Sequence, residues 1–154
     1  MRHGVRLGVD VGTVRVGLAR SDPDGLLATP LETVQRGGDV AAVVARIHTL
    51  AAELDAVELI VGLPLSLRGT DTASTGDARR VAALLADGER PVRLVDERLT
   101  TVSAQSALHA SGRNARGSRR VIDQVAAVIL LQHALDAERA RGEAPGALVE
   151  SNRK

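Results

Sequence analysis

The chain has 154 residues, of which 44% are apolar and 25% are charged, and its net charge at pH 7 is +1. This length and balance are ordinary for one globular domain with a hydrophobic core. The absence of cysteine excludes a disulfide framework and a thiolate metal site. No apolar run approaches the roughly 18 residues of a membrane helix and no signal peptide is visible, so we expect a cytoplasmic protein with no membrane partner.

Two features of the composition bear on a nucleic-acid partner. Aromatic residues are absent, which excludes base stacking on aromatic side chains. Lys154 is the one lysine among 20 basic residues, so the positive charge is carried by arginine. Arginine suits two-point contacts with phosphate groups, although a coding bias toward Arg and Ala explains the preference as well.

The first part of the chain predicts a meander of three antiparallel strands. Residues 5–11 alternate as a strand, and residues 14–20 are its hairpin partner after a turn at "GT". A turn at residues 22–25 leads to a third strand within 26–34. One face of the first two strands carries mainly glycine around Asp10, which leaves room there for a ligand.

The rest of the chain alternates helices with two further strands. Asp39 is a candidate N-cap for a helix whose apolar residues recur at helical spacing from 40 to 54. The elements predicted after it are a strand at 57–61, a helix at 75–87, a strand at 92–95 and helices at 101–111 and 120–139. Beyond 141 the sequence has no periodicity, so we expect a disordered tail over 141–154 after a single domain of residues 1–140.

These elements predict an α/β fold with a mixed five-stranded sheet, three antiparallel strands followed by two parallel ones, flanked by helices. Parallel strands joined by helices bring their carboxyl ends to one edge of the sheet, where ligand sites of such folds lie. Asp10 and Glu97 fall at such ends. Asp123 lies in the first turn of the last helix and shares its face with three alanines and a leucine, which allow close packing: Ala126, Ala127, Leu130 and Ala134.

Asp10, Glu97 and Asp123 are therefore the candidate catalytic and metal-binding residues. Three converging carboxylates would repel one another without cations, and Mg²⁺ or Mn²⁺ binds such all-oxygen sites. Two ions about 4 Å apart activate a water and stabilise the leaving oxygen of a phosphodiester. Taken singly, two of these residues have a simpler interpretation: Asp123 as an acid at a helix start, and Glu97 as a strand-end residue that faces water.

An arginine-rich segment lies between Glu97 and Asp123. From 98 to 122 the chain has no acidic residue and five arginines: Arg98, Arg113, Arg116, Arg119 and Arg120. A solvated loop is the ordinary interpretation of such a run, and phosphate contact is the alternative. The acidic residues on both sides favour an anionic ligand.

Four stretches occur in the chain in this order: "GVDVGTVRVGLARSDP", "IVGLPLSLRGTD", "VRLVDERLTTVSAQSAL" and "RRVIDQVAAVILLQ". Together they resemble the YqgF family, bacterial ribonuclease-H-like proteins described both as Holliday junction resolvases and as pre-16S rRNA nucleases. The resemblance covers about residues 6–135. It implies a metal-dependent nuclease whose acidic triad is Asp10, Glu97 and Asp123, and its motif favours Glu97 over the neighbouring Asp96.

The chain departs from the family pattern at three positions outside the triad. Val14 stands where related sequences commonly have a basic residue, although Arg15 keeps a positive charge beside it. Ser66 stands where asparagine is usual, and Arg68 where an acidic or neutral residue is frequent. These positions bear on how the substrate backbone is held, and we expect Arg15 and Arg68 to contact it.

The sequence leaves the substrate open between structured RNA, as in processing of the 5′ end of pre-16S rRNA, and branched DNA, as in Holliday junction resolution. The absence of aromatics favours recognition of backbone and shape, and a homodimer would suit a two-fold symmetric junction. Two other classes compete. A phosphotransferase of the actin and sugar-kinase class needs a second domain, which 154 residues do not contain; a non-catalytic nucleic-acid-binding assembly factor would keep the fold without turnover.

Overall fold

The computed structural model describes residues 2–66, 68–96 and 115–150, with the side chains of the last helix described from Gln124 onward. The helix predicted at 101–111 lies outside these ranges. The elements within them are β1 (Arg6–Val11), β2 (Arg15–Ser21), β3 (Ala28–Gln35), α1 (Val40–Glu53), β4 (Glu58–Leu63), α2 (Ala73–Ala86), β5 (Val92–Asp96), α3 (Ala115–Arg141) and β6 (Ala147–Leu148). None of the described helices is both long and apolar enough to cross a membrane.

The strands form one mixed sheet in the order β3-β2-β1-β4-β5-β6. The pairs β1–β2 and β2–β3 are antiparallel, whereas β4 runs parallel to β1 and β5 parallel to β4. The predicted arrangement of three antiparallel strands followed by two parallel ones is confirmed.

The sheet has one more strand than the sequence predicts. Ala147 and Leu148 pair antiparallel with β5, and Val149 N–H donates to the carbonyl of Val92 over 2.8 Å. These residues lie in the tail for which the sequence predicts disorder. A strand of two residues shows no alternation of its own, and it forms because β5 offers backbone groups at the edge of the sheet.

One face of the sheet packs against α1 and α2. Alternate residues of β1, such as Leu7 and Val9, join apolar residues of both helices, such as Ile47 and Leu85, in the larger hydrophobic cluster. Asp39 caps α1 as predicted, since its side chain accepts from the backbone N–H of Ala41. α2 begins at Ala73, two residues earlier than predicted, because the preceding threonine forms a capping box with the N3 threonine.

α3 covers the opposite face of the sheet. Its residues Ala127 and Leu131 pack with small or branched residues of the strands, including Ala19 and Ile60. α3 runs antiparallel to β3 and β1. Its Gln132 side chain accepts from the N–H of Ala28, at the start of β3. Gln124, eight residues earlier, donates to Thr33 near the end of the same strand. The amino end of α3 therefore lies at the edge of the sheet where β1 and β4 end.

A buried ionic cluster lies at the opposite edge of the sheet, where β1 and β4 begin. Arg6 of β1, Glu58 of β4 and Glu138 of α3 are each no more than 3% exposed. Arg6 donates to Glu138 over 3.0 Å, and Arg2 bridges Glu58 and Glu138 at 2.9 and 2.5 Å. Burial raises the pKa of Glu138, but the hydrogen bonds and charge of Arg2, together with the charge of Arg6, outweigh it and hold the pKa below its usual range. No local pattern in the sequence predicts this cluster.

Candidate active site

Asp10 lies near the carboxyl end of β1, partly buried, where the sheet is almost bare of side chains. Glycines surround it: Gly8 two positions before it on β1, Gly12 two positions after it in the turn, Gly17 paired with it on β2, and Gly62 at the next position on β4 after the residue paired with Val9. Each lacks a Cβ, so the strands themselves add no side chains around the carboxylate. At Gly8 the space is taken by α3, since a Cβ there would lie 2.9 Å from the Cβ of Leu131. The sequence predicts glycines around Asp10, and Gly62 is an addition.

The turn after Asp10 depends on Gly12. The N–H of Gly12 donates to the carbonyl of Arg15 over 2.9 Å, and a Cβ on Gly12 would lie 2.5 Å from that carbonyl oxygen. Since Asp10 pairs with Gly17, strand alternation puts Arg15, two residues before Gly17, on the same face as Asp10. One predicted substrate-binding residue is thus placed on the face and at the edge of the candidate site.

The backbone of α3 carries Asp123 toward the level of Asp10. The residues that share its helical face are at most 2% exposed: Ala126, Ala127, Leu130 and Ala134. A Cβ at Gly8 would lie 3.1 Å from the carbonyl oxygen of Ala127. From Gly8 to Asp10 the strand advances about 6.6 Å, and from Ala127 back to Asp123 the helix advances about 6 Å in the same direction. The side chain of Asp123 lies outside the described part of the chain.

The phase of β5 separates Asp96 from this face. Val95 packs in the cluster under α3, so its side chain lies on the Asp10 face of the sheet. Asp96 is paired with Leu63 of β4, and alternation places it on the opposite face. Glu97, the predicted second metal ligand, lies outside the described residues and stays a prediction.

Only some of the other predicted substrate-binding arginines lie among the residues that the structure describes. Arg68 is exposed in the connection between β4 and α2, at the same edge of the sheet as Asp10. Arg98 and Arg113 lie outside the described residues. The remaining three belong to the first turns of α3, with side chains outside the described part: Arg116, Arg119 and Arg120.

The donor set suits a hard divalent cation. Among the described residues, no three acidic or histidine side chains form a group that could hold a metal ion, but that range omits Glu97 and the side chain of Asp123. Carboxylate oxygens are the ligands that Mg²⁺ prefers, and Mg²⁺ keeps several waters, which need space. The glycines beside Asp10 on the neighbouring strands add no side chains that would compete for that space.

A cleft of about 450 Å³ opens at the same edge on the other face of the sheet, between the first turns of α1 and α2; we call it the α1–α2 cleft. Arg36 lies in it and donates to the carbonyl of Gly12 over 2.8 Å and to the carboxylate of Asp77 over 2.6 and 3.1 Å. The hydrogen bonds from Arg36 hold the pKa of Asp77 below its usual range. This cleft could not be predicted from the sequence, because no local pattern joins residues from three separate elements.

Comparisons with known proteins identify relatives of the chain. Residues 4–137 match the family model described as "RuvX: Holliday junction resolvase". The chain is 64% identical over 154 residues to a protein of Clavibacter michiganensis subsp. michiganensis named "Putative pre-16S rRNA nuclease", covering 99% of this chain and 96% of the relative. A protein of Leifsonia xyli subsp. xyli with the same name is 62% identical, with 97% of each chain covered.

Solved structures with a similar fold include T. thermophilus RuvC in complex with Holliday junction substrate. The TM-score is 0.60 at 20% identity, over 96% of this chain and 100% of that chain. This likeness confirms the ribonuclease-H-like fold. The family follows from the family model and from the relatives that cover almost the whole sequence: the chain belongs to the RuvX/YqgF family.

Proposed function

We propose that the protein is a Mg²⁺-dependent endonuclease of structured nucleic acid that processes the 5′ end of pre-16S rRNA in the cytoplasm. The observation that carries this proposal is the 64% identity, over 99% of the chain, to a relative named for that activity. The glycine-lined face around Asp10, at the edge of the sheet where parallel strands end, is the structural feature that supports it.

Asp10, Glu97 and Asp123 are the proposed metal ligands, for two ions. When bound, the ions would activate a water and stabilise the leaving oxygen of the phosphodiester. The chain itself supplies the position of the carboxylates. Gly12 fixes the turn after Asp10, and Gly8 lets α3 approach the strand that carries it.

The arginines supply contacts to the substrate backbone. Arg15 lies on the face of Asp10, and Arg68 lies at the same edge of the sheet. The arginine-rich segment before Asp123 (Arg98, Arg113, Arg116, Arg119 and Arg120) adds further charge. Contacts of this kind position a nucleic acid by its phosphates and carry no sequence information, which fits a protein without aromatic residues.

The test is a cleavage assay with Mg²⁺ or Mn²⁺, in which precursor rRNA, four-way junction DNA and plain duplexes of both kinds are offered side by side. We expect cleavage of the precursor rRNA by the wild-type protein and none after a chelator is added. Asp10→Asn should abolish cleavage while the fold, measured by circular dichroism and thermal melting, is kept. Cleavage by a folded Asp10→Asn protein would contradict the role of this carboxylate.

Holliday junction resolution is the second candidate function. The description of the matching family model and the RuvC complex with a junction substrate favour it. In the same assay, symmetric cleavage of the four-way junction and no cleavage of precursor rRNA would establish it, and analytical ultracentrifugation should then find a homodimer. Binding without cleavage of any substrate would instead indicate a non-catalytic assembly factor.

A further inference from the structure

The α1–α2 cleft and Asp10 lie on opposite faces of the sheet but at the same edge. Among the residues that the structure describes, the tip of the β1–β2 hairpin, residues 12–14, lies between them. Thr13 of this tip lines the cleft and is exposed, as is Val14. A nucleic-acid strand that runs from Asp10 to the cleft over the hairpin tip would therefore cross exposed residues.

The cleft carries more positive than negative charge. Arg36 and Arg80 line it together with one acid, Asp77. Arg36 holds Asp77 in a two-point pair, and its contacts among the described residues use three of the five N–H donors of a guanidinium. Arg80 lies farther from Asp77, at 3.6 Å, and its side chain is 63% exposed. Arg80 is the cation best able to turn toward a ligand.

The walls of the cleft suit a phosphate group. Gly38 and Ala73 are small and leave the space open, and Ser74 adds an exposed hydroxyl that can donate to an oxygen. α2 begins at the cleft, and the amino end of a helix adds partial positive charge, whereas the amino end of α1 is already capped by the carboxylate of Asp39. The combination of arginine, hydroxyl and one helix amino end around an open cavity suits a phosphate group.

We propose that the α1–α2 cleft binds one backbone phosphate of the nucleic-acid substrate, a few nucleotides from the bond that is cut at Asp10, with Arg80 and Ser74 as its contacts. The strand crosses the hairpin tip at Thr13 and Val14 on its way between the two sites. This assignment rests on the proposed function, since it takes the ligand to be the substrate of that site.

The test compares two neighbouring arginines of α2. Arg79 is adjacent to Arg80 and also lies 3.6 Å from an acid, Asp71, with its side chain 49% exposed, but it is not among the residues of the cleft wall. Labelled single-stranded RNA is titrated against full-length Asp10→Asn protein, which cannot cut it, alone and with Arg80→Gln or Arg79→Gln added. We expect Arg80→Gln to weaken binding about tenfold, as for the loss of one charge-assisted hydrogen bond.

The salt dependence gives a second measurement from the same titrations. When the logarithm of the binding constant is plotted against the logarithm of the salt concentration, loss of one phosphate contact in Arg80→Gln should make the slope shallower by about 0.7. Arg79→Gln should leave the slope and the affinity as they are. Equal losses of affinity in the two variants would mean that RNA binding depends only on the overall charge of α2, and the proposal would be wrong.

A scan with one neutral methylphosphonate linkage at a time then locates the phosphate. We expect one position at which the neutral linkage weakens binding to Asp10→Asn protein but not to the Arg80→Gln derivative. Sensitivity at every position that persists in Arg80→Gln would place the contact elsewhere and overturn the assignment.

Inorganic phosphate, titrated in the absence of RNA, separates failure of this inference from failure of the proposed function. If the protein binds no nucleic acid at all, the proposed function fails. Phosphate binding that is lost in Arg80→Gln would then assign the cleft to a free anion, which overturns its assignment to the substrate. If RNA binds and Arg80 does not matter, only the inference about the cleft fails.

Discussion

Gly8 of β1 lies directly beneath Leu131 of α3: a Cβ on Gly8 would stand 2.9 Å from the Cβ of Leu131. No ordinary pair of side chains packs at that distance, so glycine is what allows the helix to rest on the sheet. Since Asp10 lies two residues after Gly8, and Asp123 two turns before Leu131, this contact also sets the separation of two proposed metal ligands.

Gly8→Ala should therefore affect both stability and activity. The added methyl group must push α3 outward, and we expect a loss of about 1–3 kcal/mol in the free energy of unfolding, measured with urea. The apparent affinity for Mg²⁺, measured from the dependence of cleavage rate on its concentration, should fall because the carboxylates move apart.

Gly76 in α2 provides the control for this experiment. A Cβ there meets nothing within 4 Å, so Gly76→Ala should raise the free energy of unfolding by about 0.5–1 kcal/mol through helix propensity and leave cleavage unchanged. If Gly8→Ala unfolded at the same urea concentration as the wild type, the close contact between β1 and α3 would not limit their packing.

The second prediction separates Asp96 from Glu97. Asp96 lies on the face of the sheet opposite Asp10, as its pairing with Leu63 and the packing of Val95 require. We expect Asp96→Asn to lower the cleavage rate less than about tenfold, because Asp96 acts from the far face of the sheet only through its charge. An interaction of one pKa unit, about 1.4 kcal/mol, corresponds to a tenfold change. Glu97→Gln should abolish cleavage. The reverse ranking, in kcat measured at saturating Mg²⁺, would exclude Glu97 as the ligand.

The third prediction concerns the buried ionic cluster. Glu138→Gln leaves the buried Arg6 without its carboxylate partner, and breaking such a pair costs roughly 3 kcal/mol of stability. Glu32→Gln is the control, because Glu32 forms its ion pair with Arg46 at the surface, where such pairs contribute little.

The cluster also predicts a pH dependence. The pKa of Glu138 is lowered in the folded protein. Its contribution to the free energy of unfolding is therefore complete above its ordinary pKa of about 4.5 and is lost as the pH falls through the lowered value. The difference in melting temperature between wild type and Glu138→Gln should therefore shrink at acid pH. A difference that stays constant from pH 7 to pH 3 would contradict this linkage.

The fourth prediction concerns His48 of α1. Burial, with a smaller effect of the Arg90 charge, holds the pKa of His48 below its ordinary value of 6.5. Below that pH the unfolded chain takes up a proton that the folded chain does not, so stability falls as the pH drops until the folded pKa is reached. His48→Gln should remove this part of the pH dependence of the melting temperature between pH 5 and 7. The exposed His133, replaced in the same way, serves as the comparison.

The sequence predicts what depends on local pattern. Alternation placed the first five strands, and Asp39 was recognisable as a cap because its side chain acts within two residues. The ionic cluster and the α1–α2 cleft escaped prediction because their members lie far apart in the chain, as Arg36 and Asp77 do. The face of Asp96 could not be decided either, since it depends on the register of β5 against β4.

The contact between Arg2 and Glu138 joins residues 136 positions apart. A ribosome makes β1 to β5 before α3, so the helix reaches its place against β1 only after residues 115–141 have emerged. A growing chain thus holds Asp10 but not yet Asp123, and a product cut short before α3 lacks both the helix and the proposed ligand. With the triad assigned as proposed, the nuclease stays inactive until α3 has emerged from the ribosome.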